Sequence, residues 1–343
     1  MRQCILSLLL VLLTGSAFAG GGEVYVYNWT EYIPDQVLSR FTKETGIKVV
    51  YTTYESNEAM YAKVKLLGGE GYDVVVPSTY FVNRMRNDGL LAPLDRSLLP
   101  NFSNVNPAIL DKSYDPGNQY SVPYLWGGTG ILVNADAVDP EKVSSWKGLW
   151  DEALKGRLLL QNDLREVFGI GLLLKGYSLN ETDSEKIKEV YELLRTLVPS
   201  VRVFNSDSPK LAFLGEEVSG GMIWNGEAYV AMQEIDSLQF VWPQEGGIFW
   251  MDNFVIPKGA RNIENAHAFI NFMLRPDISA MCCEEYGYPT PIPAAQELLP
   301  EELRNSSVVF PPKEVMERSE FQDDVGDAIL LYEEYWQKLK VSK

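Results

Sequence analysis

Within its first hundred residues the chain alternates between strand-like and helix-like hydrophobic patterns, and that alternation restricts the fold more than any other feature. Val24 to Tyr27 reads as a buried strand. Pro34 to Thr45 reads as a helix with proline at its first position, Val37, Leu38 and Phe41 on one face, and Gly46 as its stop. Ile47 to Tyr51 makes a second strand. Glu58 to Leu67 then places Met60, Val64 and Leu67 at helical spacing, and Val74-Val75-Val76 forms a third strand ended by Pro77. This βαβαβ succession predicts an α/β fold in which a mainly parallel sheet is flanked by helices.

The N-terminus carries an export signal. Arg2 supplies a positive start, Ile5 to Leu13 an apolar stretch and Ala17-Phe18-Ala19 a small-residue cleavage site, so residues 1–19 read as a signal peptide and the mature chain is expected in the periplasm. No other stretch approaches the roughly 18 apolar residues needed to cross a bilayer. About 320 mature residues exceed what one hydrophobic core usually holds, so two lobes are expected. The mature chain has 29 Lys+Arg against 47 Asp+Glu, a net charge of −18. Such a surface argues against nucleic acid and anionic membranes and steers cationic partners inward. After processing only Cys282 and Cys283 remain. Adjacent cysteines bridge only through a strained ring, so they are expected as two free, buried thiols, a vicinal disulfide being the alternative.

In sheets of this kind ligands bind beyond the carboxyl ends of the strands. Asn28-Trp29-Thr30-Glu31-Tyr32 follows the first strand and Pro77-Ser78-Thr79-Tyr80 the third. Leu158-Leu159-Leu160 reads as a strand leading through Gln161-Asn162-Asp163 into a helix with Glu166, and Met222-Ile223-Trp224 as another, leading into Asn225-Gly226-Glu227. Trp250-Met251-Asp252 repeats the pairing of tryptophan with carboxylate. Ring faces and nearby anions both attract ammonium groups while the rings cover methylenes, so the pattern predicts a receptor for a small amine. Each element has a structural reading too: Asp163 and Glu166 fit a helix N-cap pair, and any single tryptophan fits a core position.

Enzymatic readings find less support. The sole histidine, His267, sits between apolar helical positions and reads as a satisfied surface or boundary residue. With no second histidine and no cysteine cluster, neither a Ser-His-Asp arrangement nor a usual zinc shell can be assembled, and no cofactor is expected. A carboxylate pair among Asp163, Glu166 and Asp252 leaves sugar hydrolysis as the enzyme alternative. The clusters Gly127-Gly128-Thr129-Gly130 and Gly169-Ile170-Gly171 fit no nucleotide-binding spacing and read as turns and close packing. Asn28-Trp29-Thr30 is an acceptor triplet for glycosylation that is expected to be unmodified in a bacterial exported protein.

Several stretches resemble the periplasmic spermidine/putrescine-binding proteins of polyamine ABC importers. They are Tyr27 to Tyr32, Phe41 to Val49, Val76 to Tyr80, Gly221 to Gly226, Gly246 to Asp252, Tyr288 to Pro291 and Gln322 to Gly326, and they span essentially the whole mature chain. The resemblance implies a two-lobe solute-receptor fold with the ligand in the interlobe cleft. One lobe would be residues 20–128 plus 251–298 and the other 129–250 plus 299–343. It implies that Glu31, Asp163, Glu166 and Asp252 hold ammonium groups and that Trp29, Tyr32, Tyr80, Trp224, Trp250 and Tyr288 line the methylene chain. Thr30, Ser78, Ser206 and Gln322 would give neutral hydrogen bonds. The implied partners are spermidine or putrescine and an inner-membrane ABC permease, with the receptor acting as a monomer.

Overall fold

The computed structural model describes residues 21–341, and the expected signal peptide, residues 1–19, lies outside the described residues. Strands β1 (Glu23–Trp29), β2 (Lys48–Tyr54) and β3 (Val74–Val75) are joined by helices α1 (Asp35–Thr45) and α2 (Asn57–Leu66), and β1 pairs in parallel with both of the others. The opening alternation therefore folds as its sequence pattern predicts. Val37 and Phe41 are buried on α1, and Gly46 ends the helix in the left-handed region at φ 73°, where its N–H bonds back to Thr42. Two ends differ from the sequence reading by about a residue. Pro34 is the N-cap rather than the first helical residue; its ψ of 141° is extended and its carbonyl accepts from Val37 and Leu38. Leu67 is the C-cap just past α2 and is exposed, and the helix begins at Asn57 behind the Ser56 cap, one residue earlier than the apolar spacing suggests.

A third helix, α3 (Thr79–Asn87), follows β3. The next strand, β4 (Ser121–Asn134), is unusually long. Beyond it come β5 (Leu158–Leu160), α4 (Leu164–Leu174), α5 (Ser184–Arg195), β6 (Val201–Phe204), α6 (Lys210–Leu214), β7 (Gly220–Trp224), α7 (Asn225–Glu234), β8 (Leu238–Val241) and β9 (Ile248–Val255). Helices α8 (Ile263–Met273) and α9 (Pro276–Tyr286) and the short strand β10 (Glu320–Phe321) precede a final helix, Ile329–Val341. The strands run in the order β2-β1-β3-β9-β4-β7-β5-β6, with β8 on β4 and β10 on β9. Parallel pairs form both outer parts of the sheet, β1 with β2 and β3 on one side and β5 with β6 and β7 on the other, whereas β4 and β9 cross the middle antiparallel to each other.

The apolar side chains separate at those crossing strands. Val122, Tyr124 and Leu125 of β4 and Trp250 and Phe254 of β9 pack with Val24, Val26, Phe41 and Phe269, in a cluster that continues through Leu299, Leu303 and Val309. Ile131 and Val133 of β4 and Ile248 of β9 pack instead with Leu158, Phe168, Ile187 and Trp336. Two hydrophobic bodies thus share two continuous strands. Such strands fix the bodies' relative position at few backbone points, the arrangement in which a small change in φ and ψ rotates one body on the other.

The glycine run in β4 serves close packing, but it lies inside the strand and not in a turn. A Cβ on Gly127 would stand 2.6 Å from Trp250 Cζ2 and 2.7 Å from Asn225 Oδ1, and one on Gly130 would stand 2.4 Å from Phe240. The helical glycines pack against Ile248 and Val190 in the same way. His267 is buried, not at the surface: its Nε2 accepts from the Asp95 N–H at 2.9 Å and its Nδ1 meets the Ile263 carbonyl at 2.8 Å. Cys282 and Cys283 are free and buried. Among the described residues no helix is long and apolar enough to cross a membrane, and no group of side chains is arranged to hold a metal ion.

Candidate functional site

A cavity lined from both sides lies between the two bodies. All fourteen residues singled out from sequence line it. Trp29 is the last residue of β1, and Thr30, Glu31 and Tyr32 form the turn beyond it. Ser78 and Tyr80 open α3, Asp163 caps α4 and Glu166 lies in its first turn. Ser206 follows β6, Trp224 ends β7, and Tyr288 and Gln322 follow α9 and β10. Trp250 and Asp252 come from the middle of β9, not from a strand end.

The carboxylates are built differently. Asp252 is 4% exposed and accepts from Tyr32 Oη at 2.7 Å and from Ser78 Oγ at 2.6 Å. Ser78 stands at the N-cap of α3, yet its hydroxyl makes no cap hydrogen bond because Asp252 takes it. Burial pushes the Asp252 carboxyl up to about 7, with the two hydroxyl donors working against that rise. Asp163 is both a cap and a cavity residue. Its Oδ1 accepts from the backbone N–H groups of Arg165 and Glu166 at 2.9 and 3.1 Å, so the N-cap reading is correct without excluding a second role. Glu166 accepts from Gln322 Nε2 at 3.1 Å through Oε1, while its buried Oε2 has no hydrogen-bond partner. Burial, and then the neighbouring Asp163, raise Glu166 well above the ordinary carboxylate range.

The charge of Arg165 draws both carboxyls down somewhat, but its side chain pairs directly with neither. Its guanidinium turns to the carbonyls of Asp323 and Leu179 and to Asn180 Oδ1, and it stacks over Tyr80. Asp163, Glu166 and Asp252 therefore make no ion pair with any described residue. Buried carboxylates left without a cation are costly, and such sites are matched by a cationic ligand or by held protons.

Aromatic rings form the rest of the wall. Tyr288 meets Trp250 edge-on at 5.3 Å between centroids and Tyr32 at 5.5 Å, and Trp29 packs on Tyr54 at 4.6 Å. Trp29 Nε1 is anchored to the Val76 carbonyl at 3.0 Å, and Trp224 is held by Gln161, whose amide oxygen accepts from its N–H groups. Trp250 Nε1 and Ser206 Oγ are buried without partners, and both belong to the cavity wall. The glycine contact under Trp250 gives a prediction. Gly127→Ala is expected to tilt that ring, cost about 1–3 kcal/mol of stability through overpacking, and weaken ligand binding, checked by melting and calorimetry on the same preparation.

Sequence reasoning missed Tyr54, Asn57, Asp207 and Glu227, which also line the cavity. Tyr54 ends β2 three residues beyond the strand end read from the hydrophobic pattern, and the strand-end rule would have found it. Glu227 sits in the Trp224–Glu227 stretch but received no role. Asn28 is wholly buried, which leaves no room for a glycan at that triplet.

Residues 36–308 match the family described as bacterial extracellular solute-binding protein. The chain belongs to that family. It is 52% identical over 320 residues to the spermidine/putrescine-binding periplasmic protein of Escherichia coli K12, covering 93% of this chain and 92% of that protein. The Haemophilus influenzae spermidine/putrescine-binding periplasmic protein 1 is 44% identical over 326 residues, covering 95% and 91%. Among solved structures, the spermidine/putrescine ABC transporter substrate-binding protein PotD of Streptococcus pneumoniae superposes with a TM-score of 0.79 at 38% identity, covering 94% of this chain and 99% of that one. These relatives are two-lobe periplasmic binding proteins of transporters, not enzymes, and the chain shares their fold.

Proposed function

We propose that this family member is a periplasmic receptor that closes its two lobes on a linear polyamine, holding spermidine more tightly than putrescine, and delivers it as a monomer to an inner-membrane ABC permease. One observation carries the reading: seven aromatic and six acidic side chains line the cavity, and among the described residues no lysine or arginine does. Anionic ligands are repelled by such a wall, and a neutral sugar would leave buried carboxylates unpaired. An amine pairs with the carboxylates through its ammonium groups and packs its methylenes on the rings.

The fourteen lining residues singled out from sequence take the roles the resemblance implies. Asp163, Glu166 and Trp224 belong to the lobe built on residues 129–250 and the final helix, the stretch from Leu299 to Val309 packing with the other lobe. Trp29, Glu31, Tyr80 and Asp252 belong to the lobe of residues 20–128 plus 251–298. Ligand touching both walls favours closure because the closed form makes contacts the open form lacks. Spermidine is preferred because putrescine, with two ammonium groups and a shorter chain, leaves a carboxylate unpaired and aromatic surface bare.

Ligand bound only by the folded state raises the melting midpoint with concentration. The mature protein is expected to show that rise with spermidine, a smaller one with putrescine, and none with maltose or an acidic amino acid. No rise with any amine would defeat the reading, and titration calorimetry in which putrescine matched spermidine would defeat the preference.

A further inference from the structure

Lys210 opens the short helix α6, and its ammonium bridges two carboxylates from different parts of the molecule. Nζ lies 2.5 Å from Glu31 Oε2, in the turn after β1, and 2.9 Å from Glu227 Oε1 in the first turn of α7. It also reaches Ser208 Oγ at 3.2 Å, and Ser208 donates to the same Glu31 oxygen at 3.1 Å. The Lys210 backbone N–H closes the cluster on Glu227 Oε2 at 3.2 Å. The side chains of Lys210 and Glu227 are only 13% and 10% exposed. Burial would lower the Lys210 ammonium, but Glu227 and Glu31 together outweigh it and hold its pKa above the ordinary value.

Glu31 and Glu227 both line the cavity, so five of its six carboxylates, all but Asp207, fall into two groups. Asp163, Glu166 and Asp252 make no ion pair among the described residues, whereas Glu31 and Glu227 already share an ammonium. We propose that Lys210 is a specificity-determining residue, an internal ammonium that bridges Glu31 and Glu227 at the cavity's edge, which a long polyamine must displace to place a further charge on Glu31. A diamine spanning Asp252 and the Asp163–Glu166 pair has no need of that edge. The effect of Lys210 is to narrow the margin by which a triamine outbinds a diamine. This inference rests on the amine-receptor reading above.

The test is Lys210→Met combined with Glu227→Gln, which removes one charge of each sign, leaves the cavity's net charge unchanged and frees Glu31. Calorimetry at fixed pH and salt is expected to show spermidine binding about tenfold tighter while putrescine shifts less than about threefold, so that the ratio of their dissociation constants widens. Lys210→Arg, which keeps the cation, is expected to hold the ratio of the unaltered protein. Should the double variant not fold, Lys210→Gln is read by the same ratio, with the same direction expected. A ratio that stays within about twofold of the unaltered protein's, or narrows, in a folded variant overturns the inference. The two levels of failure are distinct: an unaltered protein that binds neither amine sinks the receptor reading as well, whereas one that binds both, with a ratio the variants do not widen, sinks only the role of Lys210.

Discussion

Asp252→Asn is expected to separate binding from stability: spermidine affinity falls by about 1.5–3 kcal/mol, while the empty protein at pH 8 melts no lower than the unaltered one. The binding loss is that of one partner in a charge-assisted hydrogen bond, since Asp252 lies on the cavity wall with no ion pair among the described residues. The stability argument follows from the same burial. The folded carboxyl titrates near 7 against an ordinary value of 3.8, so at pH 8 the folded chain carries a buried anion at a cost on the order of 4 kcal/mol. Asparagine removes the charge and keeps an acceptor, so one of the two hydroxyls of Tyr32 and Ser78 retains its bond and the other must turn. That loss, about 1–3 kcal/mol, offsets part of the gain. Between about pH 4 and 7 the folded state binds more protons at this site than the unfolded state. Its contribution is therefore fully present at low pH and lost as pH rises through about 7, and the variant's melting midpoint should fall less than that of the unaltered protein across that interval. A variant that binds spermidine as tightly as the unaltered protein would move the site away from Asp252. One that melts far lower at pH 8 would make Asp252 a structural acceptor.

Much of this was legible in the sequence, for a physical reason. The βαβαβ start is written in local periods of 2 and 3.6 residues, and the residues at strand ends follow once the strands are placed. Trp29, Ser78, Asp163 and Trp224 were found that way. The antiparallel crossing of β4 and β9 was not legible, because pairing partners separated by more than a hundred residues leave no local trace. Trp250 and Asp252 accordingly sit mid-strand, in the cavity, where no strand-end rule points. Lys210 is hidden for a similar reason. Nothing near it in sequence marks it as the partner of Glu31, 179 residues away, and only the fold brings that ammonium to the cavity's edge. Asp163 shows the opposite limit, where one pattern had two correct meanings: a helix cap uses one carboxylate oxygen and leaves the other for the cavity.

The unpaired carboxylates also set how binding responds to pH. In the empty cavity burial raises Asp252 to about 7 and holds Asp163 and Glu166 above their ordinary values, so near pH 6 part of this acidic wall is protonated. An entering ammonium pairs with the anionic form and pulls those pKa values down, so protons must leave as the amine enters. Affinity therefore rises with pH while the empty-state carboxyls are protonated, and it levels off once Asp252 is ionised, before the ligand's own amines titrate near 10. Spermidine binding is expected to strengthen by about tenfold per unit between pH 5.5 and 6.5, where close to one proton is released from Asp252, and by less above pH 7. Calorimetry in phosphate and in Tris, buffers of low and high ionisation enthalpy, reads the released protons directly as a difference in heat. Asp252→Asn should reduce that difference together with the slope of affinity against pH. Equal heats in the two buffers and a flat affinity from pH 5.5 to 8 would mean that the carboxylates are already ionised in the empty cavity, and that the charge of the wall is balanced by something other than protons. A difference that persists undiminished in the Asp252 variant would assign the titrating group to Asp163 and Glu166, whose shared burial already disfavours two adjacent anions at that end of the cleft.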